Sequence, residues 1–253
     1  MSAYKQFAVA GAGSIGRVIV EELVKKKDEG KFSRLERNPP QPHPPKCSRN
    51  VFQAAGVKLF VPSQFDCDPC GKSEMLLLKH REVFRRNLKE IGLSYAVFCT
   101  GLLIDKVFAP TFAAALGLDF SSGEFSIPVS GTAPISWTTT EEVAQFIAHA
   151  LTIFPREKIE WRTFRIEGEQ INLNEIVALW EKRFRRTALV THRPRAVIKT
   201  AVKLDATDFL SSFILDLDAG HMAVGDPEEV SDREFPRWRP KRVIDVLDDL
   251  YED

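Results

Sequence analysis

Apolar and polar positions switch between two periods along this chain, and the switches mark its elements. Gln6-Phe7-Ala8-Val9-Ala10 is a short apolar run. From it the spacing changes to helical: Ile15, Val18, Ile19 and Leu23 share one face, while Glu21 with Lys25 and Glu22 with Lys26 form i,i+4 pairs on the other. Val51 to Gly56 reads as the end of a helix stopped by glycine, and Val57 to Val61 as a β-rich run ended by Pro62. Glu74 to Ile91 is a long helical pattern closed by Gly92, and Leu93 to Cys99 an apolar strand followed by Thr100-Gly101. A hydrophobic segment with Phe108 and Phe112 and a turn-rich stretch from Ser121 to Thr132 come next. The pattern then predicts a helix over Thr140 to Leu151 that buries Val143, Phe146, Ile147 and Ala150, with Thr140 as N-cap and Glu141 and Glu142 in its first turn. Trp161 to Ile166 predicts a strand, Asn172 to Phe184 a helix capped by Asn172 or Asn174, and Lys241 to Leu250 a closing helix. Alternating strands and helices argue for an α/β fold with a mostly parallel sheet.

One stretch breaks the pattern. Between Lys25 and Asn50 only Phe32, Leu35 and Cys47 are appreciably apolar, and Asn38-Pro39-Pro40-Gln41-Pro42-His43-Pro44-Pro45 favours polyproline II. No buried strand is expected there. Pro39-x-x-Pro42 or Pro42-x-x-Pro45 could face a groove-binding partner, but residues 27–49 read more simply as an exposed, disordered linker, of which protease would cut residues 28–49 first.

Composition narrows the class. Of 253 residues 44% are hydrophobic and 28% charged, enough for one sizeable core or a core with a small lobe. Lys plus Arg and Asp plus Glu both total 35, so no net field draws the chain to nucleic acid or an anionic membrane. With no signal-peptide pattern and no apolar run of about 18 residues, the expectation is a cytoplasmic protein. Four cysteines (Cys47, Cys67, Cys70, Cys99) are too few and too unevenly spaced for a disulfide framework.

Candidate chemistry begins where the first strand meets the first helix, at Gly11-Ala12-Gly13-Ser14-Ile15-Gly16. In such a unit Gly11 allows a tight turn, Gly13 lets backbone approach a pyrophosphate, and Gly16 lets helix and strand pack closely. The helix N-terminus then offers N–H groups to the phosphates. This is a dinucleotide-binding signal. An acid or an arginine about 20 residues further on would read the ribose or its 2′-phosphate.

Several separated stretches resemble the NmrA-like, isoflavone-reductase-like branch of the atypical short-chain dehydrogenases. They are the glycine turn, Ala55 to Phe65 with its Val61-Pro62-Ser63, Ile91 to Tyr95, Pro134 to Thr138 leading into the helix with Val143 and Ala144, Thr163 to Gly168, and Phe235-Pro236. The resemblance implies a single domain. Residues 1–26 and 50–105 would form a reduced Rossmann-like parallel sheet, and 106–253 a smaller substrate lobe with closing elements. It implies NADP or NAD as cofactor, with NADPH favoured, and NAD(P)H-dependent reduction of a small apolar or aromatic substrate. A non-catalytic dinucleotide sensor that binds a regulatory protein is the alternative. Gly11, Gly13, Ser14, Ile15 and Gly16 would hold pyrophosphate, Pro62, Ser63, Phe65 and Gly101 would flank the nicotinamide, and Lys79 would donate the proton.

The departures from that family point the other way. About forty residues separate the glycine turn from the Pro-Ser strand, where the family carries three strands, so the second to fourth strands are expected to be missing and the first to lie beside Leu59 to Val61. Gln64 and Asp66 replace the Glu and Gly of the Pro-Ser loop, and strict register puts the family lysine on Arg81, which cannot give up a proton. Weak NADPH binding and impaired catalysis follow as expectations.

Other candidates are weaker. Cys67-Asp68-Pro69-Cys70 with His43 and Cys47 could hold zinc, but no second Cys-x-x-Cys supports it, and no metal is expected. Lys182, Arg183, Arg185, Arg186, Arg193, Arg195 and Lys199 lack interleaved aromatics and read as a solvated helix end and turn. His149 reads as a partly buried or surface histidine, and His192 and His221 have no partner at motif spacing.

Overall fold

The computed structural model describes residues 4–10, 13–31, 34–38, 55–67, 73, 75–205 and 207–251. Strand β1 (Gln6–Ala10) is followed, past residues 11 and 12, which lie outside the described residues, by α1 (Ser14–Asp28). A strand β2 (Arg34–Asn38) follows and pairs with β1 in parallel, from Gln6 opposite Arg34 to Ala10 opposite Asn38. This corrects two expectations: residues 27–49 do supply a strand, and β1 takes it as neighbour instead of Leu59 to Val61. Arg-Leu-Glu-Arg-Asn has one apolar residue, so periodicity gives no signal, whereas a ladder is made by backbone groups whatever the side chains are. The proline run and its expected sensitivity to protease lie outside the described residues.

The run Leu59 to Val61 meets the chain at Tyr95, in a parallel bridge from Phe60. Phe60 N–H donates to the Ser94 carbonyl at 2.9 Å, and Ala96 N–H donates to the Phe60 carbonyl at 3.0 Å. Helix α2 (Leu76–Glu90) ends as expected at Gly92, whose φ of +69° suits glycine. Strand β3 (Ala96–Cys99), buried throughout, pairs in parallel with β8 (Arg162–Arg165). The short β4 (Leu102–Leu103) pairs with β7 (Ser136–Thr138), which also takes the antiparallel β9 (Glu169–Gln170).

Between β4 and β7 come α3 (Ile104–Val107), α4 (Pro110–Leu116), β5 (Leu118–Asp119) and β6 (Glu124–Pro128). After β7 stand α5 (Thr140–Ile153) and α6 (Arg156–Ile159), and after β9 come α7 (Leu173–Phe184), β10 (Leu189–Arg193), α8 (Arg195–Leu204), α9 (Phe209–Asp218) and α10 (Val243–Tyr251). The cap of α5 is Thr139, one residue before the expected Thr140. Thr139 is extended, its hydroxyl accepts from Glu142 N–H, and the Glu142 carboxylate accepts from Thr139 N–H. Thr140 instead gives its N–H and hydroxyl to Asp105. Asn172 caps α7 in the same reciprocal way with Glu175.

Two large cores and a smaller cluster around Leu88, Leu93, Val97 and Val224 organise the described residues. In the first, Ile19 and Leu23 of α1, Phe98 of β3, Phe146 and Ile147 of α5 and Phe164 of β8 pack together, with Phe7, Val9, Leu59, Val61 and Phe65 against them. Phe98 stacks on Phe164 with centroids 5.0 Å apart, and each such buried ring contributes roughly 2 to 3 kcal/mol. The second core joins Phe108, Phe120, Phe125, Trp137, Trp180, Phe213 and Val243. Residues 140–166 lie late in the sequence yet belong to the first core, so the chain returns to its opening layer before the last lobe forms. The basic stretch is built into that lobe. Arg186 donates to the Ser121 and Ser122 carbonyls, Arg193 to the Leu116 carbonyl, Arg195 pairs with Asp218, and residues 189–193 form a strand parallel to β6.

Candidate functional site

Gly13 is the N-cap of α1, with φ −63° and ψ 173°, and no side chain caps the helix. The first turn carries no acid either, so its N–H groups have neither a cap nor a neutralising charge. A Cβ built on Gly13 would meet nothing within 4 Å. Ser14 is exposed, while Ile15 is half-buried on the first core, which ties this turn to β3. Gly11 lies outside the described residues.

Beside this turn, the carboxyl end of β2 places Arg37 opposite Val9 and Asn38 opposite Ala10. Asn38 stands 22 residues past Gly16, near the spacing at which a ribose is read. The spacing was visible in the sequence, but without the strand it had no meaning.

The Pro-Ser loop follows Val61. Pro62 and Gln64 are buried, Ser63 is exposed and Phe65 is half-buried on the first core. The loop is pinned at both sides. Gln64 N–H donates to the Pro62 carbonyl at 2.8 Å, and Thr100 N–H, just past β3, donates to the Asp66 carbonyl at 2.8 Å. This brings Pro62, Ser63 and Phe65 to the same end of the sheet as Gly101. Gly101 itself has φ +65°, and an added Cβ would lie 2.1 Å from the Ser136 carbonyl oxygen. Glycine is therefore required there by packing, whatever lies in front of it.

On α2, Arg81 pairs through Nη1 with Asp66 Oδ2. Lys79 sits in the first turn of the same helix, two positions earlier, and positions two apart on a helix are about 200° apart and share no face. The Lys79 side chain itself lies outside what the structure describes.

A second group of polar residues, which no motif announced, gathers around Asp216. Asp216 in α9 is fully buried, accepts from the Ser73 hydroxyl, and meets His221 Nδ1 at 3.1 Å. Met222, the next residue, takes a hydrogen bond from Ser136 N–H at 3.0 Å and puts its sulfur 4.0 Å from Cys67 Sγ. Residues 67, 73, 216 and 221 are too widely spaced for any local pattern to show. Burial, with Asp66 nearby, pushes the Cys67 thiol well above its ordinary range, so it is a poor thiolate for metal or disulfide exchange. Its partner in the Cys-x-x-Cys spacing, Cys70, and the other proposed ligands His43 and Cys47 lie outside the described residues. Among the described residues no three His, Cys, Asp or Glu side chains are grouped to hold a metal.

His149 is half-buried and stacks face to face on Phe235 at 3.9 Å, and burial and then Lys26 lower its pKa. His192 Nδ1 bonds the Val129 carbonyl. Both are structural. Among the described residues no helix is long and apolar enough to cross a membrane.

The NmrA-like family model matches residues 50–224. No match was found among the curated proteins. Solved structures agree over nearly the whole chain. An NADPH-dependent quinone oxidoreductase (QOR2) from Escherichia coli gives a TM-score of 0.73 at 14% identity, covering 96% of this chain and 99% of that one. A leucoanthocyanidin reductase–NADPH complex from Vitis vinifera gives 0.73 at 13%, covering 97% and 99%. An isoflavone reductase gives 0.73 at 14%, again covering 97% and 99%. At such identities the likeness is one of fold, a Rossmann-like α/β arrangement. Because the family model spans more than half of the sequence and the fold agrees from end to end, the chain belongs to the NmrA-like family.

Proposed function

We propose that this chain binds NADP or NAD and works as an NAD(P)H-dependent oxidoreductase on a small apolar or aromatic carbonyl or alkene. The observation that carries the reading is the uncapped N-terminus of α1, open at Gly13 and flanked by the carboxyl end of β2. The residues present fit a dinucleotide. Backbone N–H groups at Ser14, Ile15 and Gly16, with Gly11 and Gly13, would hold the pyrophosphate, each charge-assisted bond contributing about 1.5 to 3 kcal/mol. Arg37 and Asn38 stand where the ribose or a 2′-phosphate would be read, and Pro62, Ser63, Phe65 and Gly101 would flank the nicotinamide. When bound, the dinucleotide supplies hydride. NADPH is favoured because similar folds carry it in their names, as in the E. coli quinone oxidoreductase complexed with NADPH. β2 supplies one of the strands whose absence underlay the expectation of weak binding.

Fluorescence titration of the purified protein with NADPH and NADH tests this. Saturation by NADPH at micromolar concentration, weakened in Arg37→Ala more for NADPH than for NADH, is the expected result. No saturation by either nucleotide at millimolar concentration would overturn the reading.

One observation favours a second reading. At the register position of the family lysine stands Arg81, held by Asp66. Lys79 is left as a proton donor by resemblance alone. A non-catalytic dinucleotide sensor that captures a regulatory protein would retain the nucleotide site and show no turnover, so NADPH oxidation with a panel of enones, quinones and aldehydes separates the two.

A further inference from the structure

We propose that His221, oriented by Asp216, is the group that gives the substrate its proton; this rests on the reductase reading above. Asp216 is 0% exposed and both its oxygens are engaged, Oδ2 by the Ser73 hydroxyl and Oδ1 by His221 Nδ1 at 3.1 Å. A carboxylate only accepts, so Nδ1 carries hydrogen and Nε2 is the working end of the ring. The backbone holds the same geometry, because His221 N–H donates to the Asp216 carbonyl at 3.0 Å. Ser73 is no nucleophile in a relay: its hydroxyl is spent on Asp216 and its oxygen accepts from Met75 N–H at 2.9 Å. The imidazole keeps 19% of its surface exposed, and among the described residues nothing bonds Nε2.

Its place in the fold gives the ring something to act on. Met222 joins His221 to Ser136, and Ser136 lies against Gly101 just past the end of β3. Met222 also touches Cys67, at the end of the loop that follows Val61. Ser136 opens β7, but Gly101 follows the carboxyl end of β3, so His221 stands near that end of β3, the end of a parallel strand at which ligands bind in open α/β sheets. A guanidinium is a poor proton donor, whereas an imidazolium can part with a proton.

The step balances as follows. With the dinucleotide bound, its reduced nicotinamide would supply the substrate carbon with a hydrogen and its electron pair as hydride. The Nε2–H bond of the His221 imidazolium breaks as an O–H bond forms on the conjugated carbonyl oxygen. A neutral imidazole with hydrogen on Nδ1 remains, and water reprotonates it.

The test uses the intact chain, NADPH, 1,4-naphthoquinone as oxidant and 1-naphthol as a stand-in for the reduced product. Long-range ¹H–¹⁵N spectra are expected to place hydrogen on His221 Nδ1 and to show a saturable shift at Nε2 on adding 1-naphthol. His221→Gln should bind NADPH like the wild type and lose quinone-dependent NADPH oxidation by about tenfold or more. His221→Asn, tested beside it, guards against a fold defect in one variant. Unmoved Nε2 resonances, variants that turn over at the wild-type rate, or a wild type that binds NADPH without oxidising it on the quinone would each overturn the proposal. Should NADPH fail to bind at all, the reductase reading fails separately. The naphthol titration of the nucleotide-free protein then decides whether His221 lines a site, its shift supporting that and its absence refuting it.

Discussion

The guanidinium of Arg81 lies against the carboxylate of Asp66, so two positions at which the sequence departs from the family pattern it resembles hold each other. An arginine where a lysine is expected and an aspartate where a glycine is expected look like two separate losses in the sequence. In the fold they are one ion pair that fastens the Pro-Ser loop to α2. The pair is mostly covered, with 17% and 28% of the two side chains exposed. A double-mutant cycle of Asp66→Ala and Arg81→Ala in urea should give a coupling of about 1 kcal/mol. A coupling near zero would mean that the loop is held by its backbone bonds alone.

Gly101→Ala should cost about 3 kcal/mol or more, or prevent folding. The positive φ penalises any side chain, and the new methyl would sit 2.1 Å from backbone at Ser136 that cannot swing away. Gly13→Ala offers the contrast, because its Cβ meets no protein atom. Denaturant midpoints of the two variants check this: Gly13→Ala should lose no more than about 1 kcal/mol, the cost of alanine at an N-cap, and equal losses would refute the packing account.

Burial pushes the Asp232 carboxyl up to about 7, with repulsion from Glu167 adding to it and a hydrogen bond from Glu167 N–H opposing it. The folded state therefore holds a proton that the unfolded chain releases near pH 4, and this contribution to stability falls as pH rises from about 4 to about 7. Asp232 is only partly buried, so solvent screening reduces the effect to about 1 kcal/mol. Asp232→Asn keeps the acceptor and removes the titration. It should be more stable than the wild type at pH 8 and equal to it below pH 4, as read by urea unfolding across that range.

Thr139→Ala should destabilise the chain by about 1 kcal/mol, because α5 loses the hydroxyl of its capping box and Glu142 is left buried with one partner fewer. Thermal melts would show it. A Thr139 variant as stable as the wild type would mean that the first turn is held by the core and not by the cap.

The sequence by itself determined those features whose cause is local. The first strand and the helix that begins at Ser14, the stop of α2 at Gly92, the buried face of α5 and the cap of α7 each follow from a few neighbouring residues, and each is where the pattern puts it. The one-residue error at Thr139 has a local limit too. Thr139 and Thr140 are equal as caps until Asp105, 35 positions away, claims the second hydroxyl. Tertiary structure alone decided the rest. Strand β2 has no apolar period, and only the ladder of β1 makes it a strand. The Asp66–Arg81 pair and the Ser73–Asp216–His221 group join residues 15 and more than 140 positions apart. Their chemistry depends on burial and distance, and a linear sequence carries neither until the chain has folded.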